Sequence, residues 1–449
     1  MDSELVARWD RSVPRYTSYP TAPHFKPSVG AETYARWLAE LDSGLPLSLY
    51  VHVPFCRELC WFCGCQTGVA RKDGPLDAYG ARLIEEIAAV AERLSGRFRV
   101  RHVHFGGGTP TIGGGRLVGA AMAAFRARFD LEDGAEIACE IDPRTCTTQT
   151  VEALTAAGIN RASLGVQDIN PEVQRLINRI QPTDQTAAVV AALRGEGIGA
   201  INLDLMYGLP AQTVARVERT VEAAHGLAPD RLALFGYAHV PWMKKHQRLI
   251  DEALLPDGPE RWRQWGAASA RLAALGYTAI GFDHFARPED PLARALAEGR
   301  LRRNFQGYTA DPAPVLLGFG ASAIGALPQG YVQNAAETTA WNQAVRAHGL
   351  ATVRGVALDG DDRLRRAVIE RLMCDMAVDV ASVAREHRVA PEALDDAFDE
   401  LRAMAGDGLL ALDDRRVAMT ETGRPFVRLA AAAFDAHLHK GAARHSRAV

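Results

Sequence analysis

The chain has 449 residues, a formal net charge of −3, a hydrophobic fraction of 48% and a charged fraction of 23%. That length predicts two or three domains, or one large barrel with additions. The near-neutral balance, without a sustained Lys/Arg block, excludes nucleic acid as the main partner, because such binding rests on phosphate neutralisation.

The N-terminus is charged and has no apolar h-region, so it does not read as a secretory signal. No apolar run approaches the roughly 18 residues of a membrane helix, and a cytoplasmic chain is expected. Residues 1–40 read as an N-terminal arm made irregular by Pro14, Pro20, Pro23 and Pro27. Six β-prone runs follow, at 47–55, 100–105, 135–141, 161–166, 200–206 and 231–237, separated by segments of helical period. Residues 77–94 set Leu83, Ile84, Ile87 and Val90 on one face, and 148–157 stops before Gly158. Alternating strands and helices predict βαβ units and a parallel sheet, with near-continuous apolar strands covered by helices.

Each run delivers polar or glycine residues where it ends: Cys56, Gly106–Gly108 with Thr109, Glu140, Gln167, Asp204, and Tyr237 to His239. Functional groups of such folds collect at those ends. The expected α/β fold is therefore an incomplete (β/α)6 barrel with its extension over 41–325, and one mouth as the site. After about residue 355 helical stretches (362–377, 381–389, 391–406) precede β-prone pieces (409–412, 417–420) and a closing helix at 424–438. This predicts a small, mainly helical C-terminal domain at 355–449, winged-helix in flavour, without the basic face that nucleic acid requires. The tail beyond Lys440 is expected to be disordered.

Seven cysteines, an odd number in such a chain, argue against a disulfide framework. Cys139, Cys146 and Cys374 need no special explanation, but Cys56, Cys60, Cys63 and Cys65 fall within ten residues. The C-x3-C-x2-C spacing can hold three corners of an iron–sulfur cube and leave one iron open. Tyr50, Phe55, Trp61 and Phe62 would shield it from water. A zinc knuckle is the rival; it would recruit Cys65 or a histidine, and no second C-x2-C or H-x-H is present. Cys65 would strain the loop to reach a fourth corner, so it reads as an accessory thiol. Glycines 106–108 permit close backbone approach, and Glu140 offers an anion for an ammonium. Asp204 stands in an apolar run, where a lone carboxylate is costly. His52 and His104 read as satisfied core histidines. GGGTPTIGGG lacks the Lys-Ser/Thr of a P-loop, and the Gly318–Ala323 match to a dinucleotide fingerprint opens no βαβ unit. That turn is placed instead near an adenine or ribose.

Tyr50 six residues before the first cysteine, C-x3-C-x-F-C, GGGTP after the second strand and EIDP after the third resemble the radical S-adenosylmethionine superfamily. Finer motifs are PRYTSYPT (14–21), the extended C-G-C, SLGVQD (163–168), INR (177–179), DLMYGLP (204–210), DHFA (283–286) and NFQGYT (304–309). Together, from about residue 10 to 435, they resemble the oxygen-independent coproporphyrinogen III oxidases. The resemblance implies a [4Fe–4S] cluster on Cys56, Cys60 and Cys63 and decarboxylation of two propionates of a tetrapyrrole to vinyl groups. It implies two S-adenosylmethionine molecules, the first near Tyr50, Gly107, Glu140 and Ile324. The second is bounded by Phe62, Gly108, Thr109, Gln167, Arg179, Asp204 and Ala238. Arg15 and Arg303 are expected to meet the substrate carboxylates under residues 15–21, with Arg302 and Lys244 as alternatives. A reductant protein such as a flavodoxin or ferredoxin is the implied partner, and a monomer is the default. Rival classes are a haem-binding or haem-modifying relative, which usually lacks the C-G-C and NFQGYT, and a non-enzymatic electron carrier, which would want four cysteine ligands.

Overall fold

The computed structural model describes Leu5, Arg8, Trp9 and residues 11–438; the tail beyond Lys440 lies outside them. The six β-prone runs form six parallel strands, each hydrogen-bonded to the next: β1 (Leu47–Val53), β2 (Arg99–Gly107), β3 (Asp130–Ile141), β4 (Arg161–Gln167), β5 (Ala200–Tyr207) and β6 (Arg231–Gly236). Parallel neighbours need crossovers. These are built on α1 (Gly74–Ala91), α2 (Arg116–Arg128), α3 (Thr148–Ala157), α4 (Thr183–Gly195) and α5 (Val214–Gly226), and α6 (Gly258–Ala274) follows β6. Local signals set the ends of α3. The Thr147 hydroxyl accepts from Thr150 N–H at its start, and Gly158 takes the left-handed conformation (φ 86°) at its end.

The sheet continues past both ends of this set. Antiparallel β7 (Thr278–Ile280) and β8 (His284–Ala286) extend it beyond β6. On the other side β9 (Val315–Phe319) pairs in parallel with β1, and antiparallel β10 (Ile324–Leu327), β11 (Gly330–Asn334) and β12 (Thr352–Ala357) follow. The edge strands β7 and β12 stand at opposite ends of the twelve-stranded order, so the barrel is open as expected. Its sheet runs to Ala357, beyond residue 325.

The strands are not continuously apolar. In β5, Ile201, Leu203 and Leu205 are buried in the core shared with the helices, whereas Asn202, Asp204 and Met206 are half-buried on the other face. Ala162, Leu164 and Val166 of β4 alternate with Arg161, Ser163 and Gly165 in the same way, apart from Arg161, which is itself buried. One face meets dry helices, at roughly 1.5–3 kcal/mol per buried aliphatic side chain, and the other surrounds a polar interior.

Between β11 and β12 lies α7 (Thr338–His348), and α8 (Gly360–Asp375) opens the C-terminal domain. That domain adds helices Val380–Glu386, Phe398–Gly406 and Val427–Ala433 and a three-stranded sheet of Ala377–Asp379, Arg416–Met419 and Leu410–Asp413. The helix expected over 362–377 stops at Asp375, because Met376 takes the left-handed conformation (φ 57°), and Ala377 opens the first of these strands. The arm is not irregular throughout. It contains the helix Ala31–Ala39, and Trp9, Val13, Tyr16 and Tyr19 are buried in the C-terminal core with Val368, Leu372, Phe426 and Phe434.

Candidate functional site

The chain leaves β1 into the cysteine loop. Phe55–Cys56 pairs with Gly68–Val69, so residues 57–67 project as one loop closed at its base. Gly108 N donates to Val53 O (2.8 Å) and Thr109 N to Phe55 O (2.7 Å), locking the end of β2 against that base. Glycine is required there. A Cβ on Gly108 would lie 2.6 Å from Phe55 O and from Thr67 Oγ1, and one on Gly107 (φ 115°) 2.8 Å from the His52 ring. The close approach these glycines allow is thus to the chain's own β1 and cysteine loop.

Each cysteine sulfur of the triplet carries a polar neighbour. Thr109 Oγ1 donates to Cys56 Sγ (3.4 Å), and Thr67 Oγ1 lies at the same distance. Arg144 and Arg179 both donate to Cys60 Sγ at 3.4 Å, and both also engage Asp142. The adjacent Cys65 thiol is the largest cause holding the Cys63 thiol below its ordinary value, with Lys244 and Arg179 adding to it. The same pairing raises the Cys65 thiol, which lies exposed beside the triplet. Among the described residues, no three His, Cys, Asp or Glu side chains converge on a single metal-ion position.

Inside the mouth, Tyr50 O–H donates to His52 Nδ1 (3.0 Å), because His52 Nε2 is committed as donor to Gln66 O (2.9 Å). Both ring nitrogens of His52 are satisfied, and burial keeps it neutral. Glu140 accepts from Gly107 N (3.1 Å) and lies 3.3 Å from His104 Nε2, with its side chain partly open. Asp204 accepts from Asn202 (2.8 Å) and Ser163 (3.2 Å); burial, then repulsion by Glu140, pushes its carboxyl up to about 6. Two acids of different environment therefore face one polar interior.

Comparison with known proteins now adds to this geometry. Residues 50–224 match the family model described as Radical SAM superfamily, and residues 358–426 the one described as HemN C-terminal domain. The chain is 54% identical over 444 residues to an oxygen-independent coproporphyrinogen III oxidase of Bradyrhizobium diazoefficiens, covering 99% of each chain. It is 40% identical over 445 residues to that of Escherichia coli, covering 98% of this chain and 96% of the other. The solved coproporphyrinogen III oxidase of Escherichia coli superposes with a TM-score of 0.91 at 38% identity, over 97% of this chain and 99% of the other. The chain belongs to the oxygen-independent coproporphyrinogen III oxidase family.

Membership of the radical SAM superfamily implies a [4Fe–4S] cluster and S-adenosylmethionine. The residues fit a cluster. Three thiols share one loop, and donors already point at their sulfurs, which is how proteins stabilise cluster thiolates and set their potential. Arg179 Nε is also buried without a partner among the described residues, a donor left for a further acceptor here.

The other expected residues of this oxidase-family chain fall into four groups. Glu140 and Gln167 stand at strand ends of the mouth, Gln167 in the left-handed conformation (φ 67°), whereas Asp204, expected at an end, lies within β5, which pairs with β6 through Tyr207. Phe62 and Ala238 are tied together by Gln247, whose Nε2 donates to both carbonyls (2.9 and 3.2 Å). Ile324 opens β10 beside the Phe25–Tyr331 cluster. The turn before it, placed near an adenine or ribose by the sequence, is packed against the chain's own β1 and α1. Gly320 N donates to buried Glu86 (2.6 Å), and a Cβ there would lie 2.4 Å from His52 O. Of the substrate candidates, Arg302 turns away to Glu370 (3.2 Å) and Lys244 braces Cys65 O (2.9 Å). Arg303 holds the arm through the carbonyls of Arg15 and Tyr16, yet its Nη1 is buried without a partner among the described residues.

Sequence reasoning missed Arg144 and Arg428. Arg144 follows the quoted EIDP directly, and that adjacency was the available signal. Arg428 is buried on the C-terminal helix; burial, then Arg15, lowers it to about 10, and its Nη2 donates to Val13 O (3.2 Å). Nothing local to Arg428 marks it.

Proposed function

We propose that this chain decarboxylates two propionates of coproporphyrinogen III to vinyl groups, giving protoporphyrinogen IX. The observation that carries the reading is the near-full-length likeness to oxidases of that name, arm and C-terminal domain included. Each propionate loses its carboxylate as carbon dioxide, and its two-carbon remnant gives up one hydrogen atom and one electron, the electron passing to a one-electron acceptor, to become a vinyl group. When bound at the cluster, S-adenosylmethionine would supply the radical chemistry that takes that hydrogen atom from the propionate β-carbon.

Cys56, Cys60 and Cys63 are proposed to hold the cluster, with Thr109, Arg144 and Arg179 supporting the thiolates. Tyr50, Gly107, Glu140 and Ile324 are assigned to the first S-adenosylmethionine. Phe62, Gly108, Gln167, Asp204 and Ala238 are assigned to a second, with Thr109 and Arg179 reaching it from the cluster side. Glu140 suits an ammonium, and Asp204 a diol or ammonium. Arg15, Arg303 and Arg428 surround Asp283, whose carboxyl His284 first and then both Arg303 and Arg15 hold below its ordinary value. This excess of guanidinium suits the propionate carboxylates, because each fork can bind one in a bidentate geometry. The arm, seated on the C-terminal core, would exclude water from the mouth. Among the described residues no helix is long and apolar enough to cross a membrane. A monomer served by a flavodoxin- or ferredoxin-like reductant completes the reading.

The test is anaerobic incubation of cluster-reconstituted protein with coproporphyrinogen III, dithionite and S-adenosylmethionine. Carbon dioxide, 5′-deoxyadenosine and a vinyl-bearing product are expected. Cleavage of S-adenosylmethionine without carbon dioxide would sink the substrate assignment.

A further inference from the structure

Seven large apolar side chains stand exposed among the described residues, and five of them, Val69, Ile180, Trp242, Met243 and Leu249, surround the cysteine loop. Scattered exposed apolar residues are ordinary, but a contiguous group marks a contact surface. The segments that carry them are fastened to the loop. Trp61 N donates to Ile177 O (2.9 Å), Asn178 to Leu59 O (2.9 Å), Lys244 to Cys65 O (2.9 Å), and His246 Nε2 lies 2.7 Å from Cys63 O. A hollow of about 590 Å3 opens between Arg57, Trp61, Val69, Arg71, His246 and Leu249. A second, of about 610 Å3, lies beside Trp242 and Arg248.

The unpaired charges of this face are mostly cationic. Three of its acids are engaged by the chain's own cations, Glu58 by Arg144, Asp73 by Arg57 and Arg116, and Glu172 by Arg216, while Glu252 lies against His239 and exposed Asp251 enters no ion pair among the described residues. Arg71, Lys72, Arg175, Lys245 and Arg248 are exposed and enter no ion pair among the described residues. This local excess of cations stands on a chain whose formal charge is −3. An apolar, aromatic centre ringed by cations is the anatomy of a small transient interface for an acidic partner.

We propose that this face docks a small acidic one-electron carrier protein, which reduces the cluster through the loop of Cys56, Cys60 and Cys63. One electron leaves the carrier's reduced cofactor and enters the cluster; no bond or proton is transferred. The proposal rests on the radical-enzyme reading above. A protein fits better than the tetrapyrrole, because the arginines assigned to the propionates stand elsewhere, where the arm meets Gly236 and the helix Val427–Ala433.

The experiment uses full-length, cluster-loaded chain with two variants, Arg71→Glu/Arg248→Glu and Trp242→Ser. Photoreduced bacterial flavodoxin and reduced ferredoxin are the probes. Their dissociation constants are measured by titration, and cluster reduction by its visible bleaching in stopped flow. With at least one carrier, charge reversal should slow reduction about tenfold or more at low salt, and the gap should narrow as salt rises. Trp242→Ser should weaken carrier binding, and dithionite should reduce all three proteins equally. Unchanged carrier binding and reduction rates in both variants overturn the proposal, as does a wild-type chain that neither carrier reduces. A variant that loses coproporphyrinogen binding while keeping carrier binding gives the face to the substrate and overturns it too. Failure of dithionite-driven decarboxylation in the wild type counts against the proposed function alone, since the bleaching assay does not require it.

Discussion

Replacing Glu86 by glutamine tests how the turn that carries Ile324 is held. Glu86, on α1, is buried and accepts from Gly320 N (2.6 Å), Asn334 Nδ2 (2.7 Å) and Trp341 Nε1 (3.1 Å). Beside it Tyr79 O–H donates to His52 O (2.7 Å) and accepts from Ala321 N (2.9 Å), so the β9–β10 turn is pinned to β1. Burial raises the Glu86 carboxyl from 4.5 to about 7, against those three donors. A raised carboxyl pKa stabilises the folded state fully below the unfolded value, and that contribution is lost as pH climbs through the folded one. At about 1.4 kcal/mol per pH unit, the loss between acid and mildly alkaline solution is roughly 3 kcal/mol. Glutamine cannot ionise, but it sets an amide NH2 against one group of donors, at a pH-independent cost of about 1–3 kcal/mol. In urea unfolding of the cluster-free chain, followed by tryptophan fluorescence, the variant should be the weaker near about pH 5 and equal or stronger near about pH 8. Other titrating groups cancel in the difference between the two proteins. A stability difference that stays constant across that range would refute the reasoning.

Three further outcomes are expected. Arg144→Met removes a cationic donor from Cys60 Sγ, so the cluster potential should fall by an amount on the order of tens of millivolts while iron content holds; an unmoved potential in an EPR-monitored titration would remove Arg144 from the site. Serine at Cys56, Cys60 or Cys63 should abolish cluster assembly, whereas Cys65→Ala should keep roughly four irons per chain; iron and sulfide analysis decides, and loss of iron in Cys65→Ala would make it a ligand. Deleting residues 1–20 removes Trp9, Val13, Tyr16 and Tyr19 from the C-terminal core. Vinyl formation should cease and the C-terminal domain become protease-sensitive, with the cluster still assembled; full turnover after deletion would contradict a closing role for the arm.

The features legible in the sequence share one property: they are carried by residues near one another along the chain. The cysteine triplet lies within one loop, the hydrogen bonds of α3 run between Thr147 and Thr150, and Gly158 ends that helix through its own backbone. The six barrel strands were visible for the same reason, since strand and helical periods are short. Their alternation was in the letters too, in Ile201 and Leu203 against Asn202 and Asp204, yet a polar inner face was not expected, because a period does not say what a face meets. Tertiary structure alone decided the rest. Arg144 and Arg179 arrive at Cys60 from 84 and 119 residues away, Glu86 reaches Gly320 across 234, and Arg428 meets Val13 across 415. β9 joins β1 only because the open sheet leaves that edge of β1 without a partner. Which groups stand over the cysteines is fixed by how the sheet curls, whereas the cysteines' capacity to hold a cluster needs only their spacing. The sequence by itself therefore determined the chemistry this loop can perform, and folding determined which arginines, acids and surface would govern it.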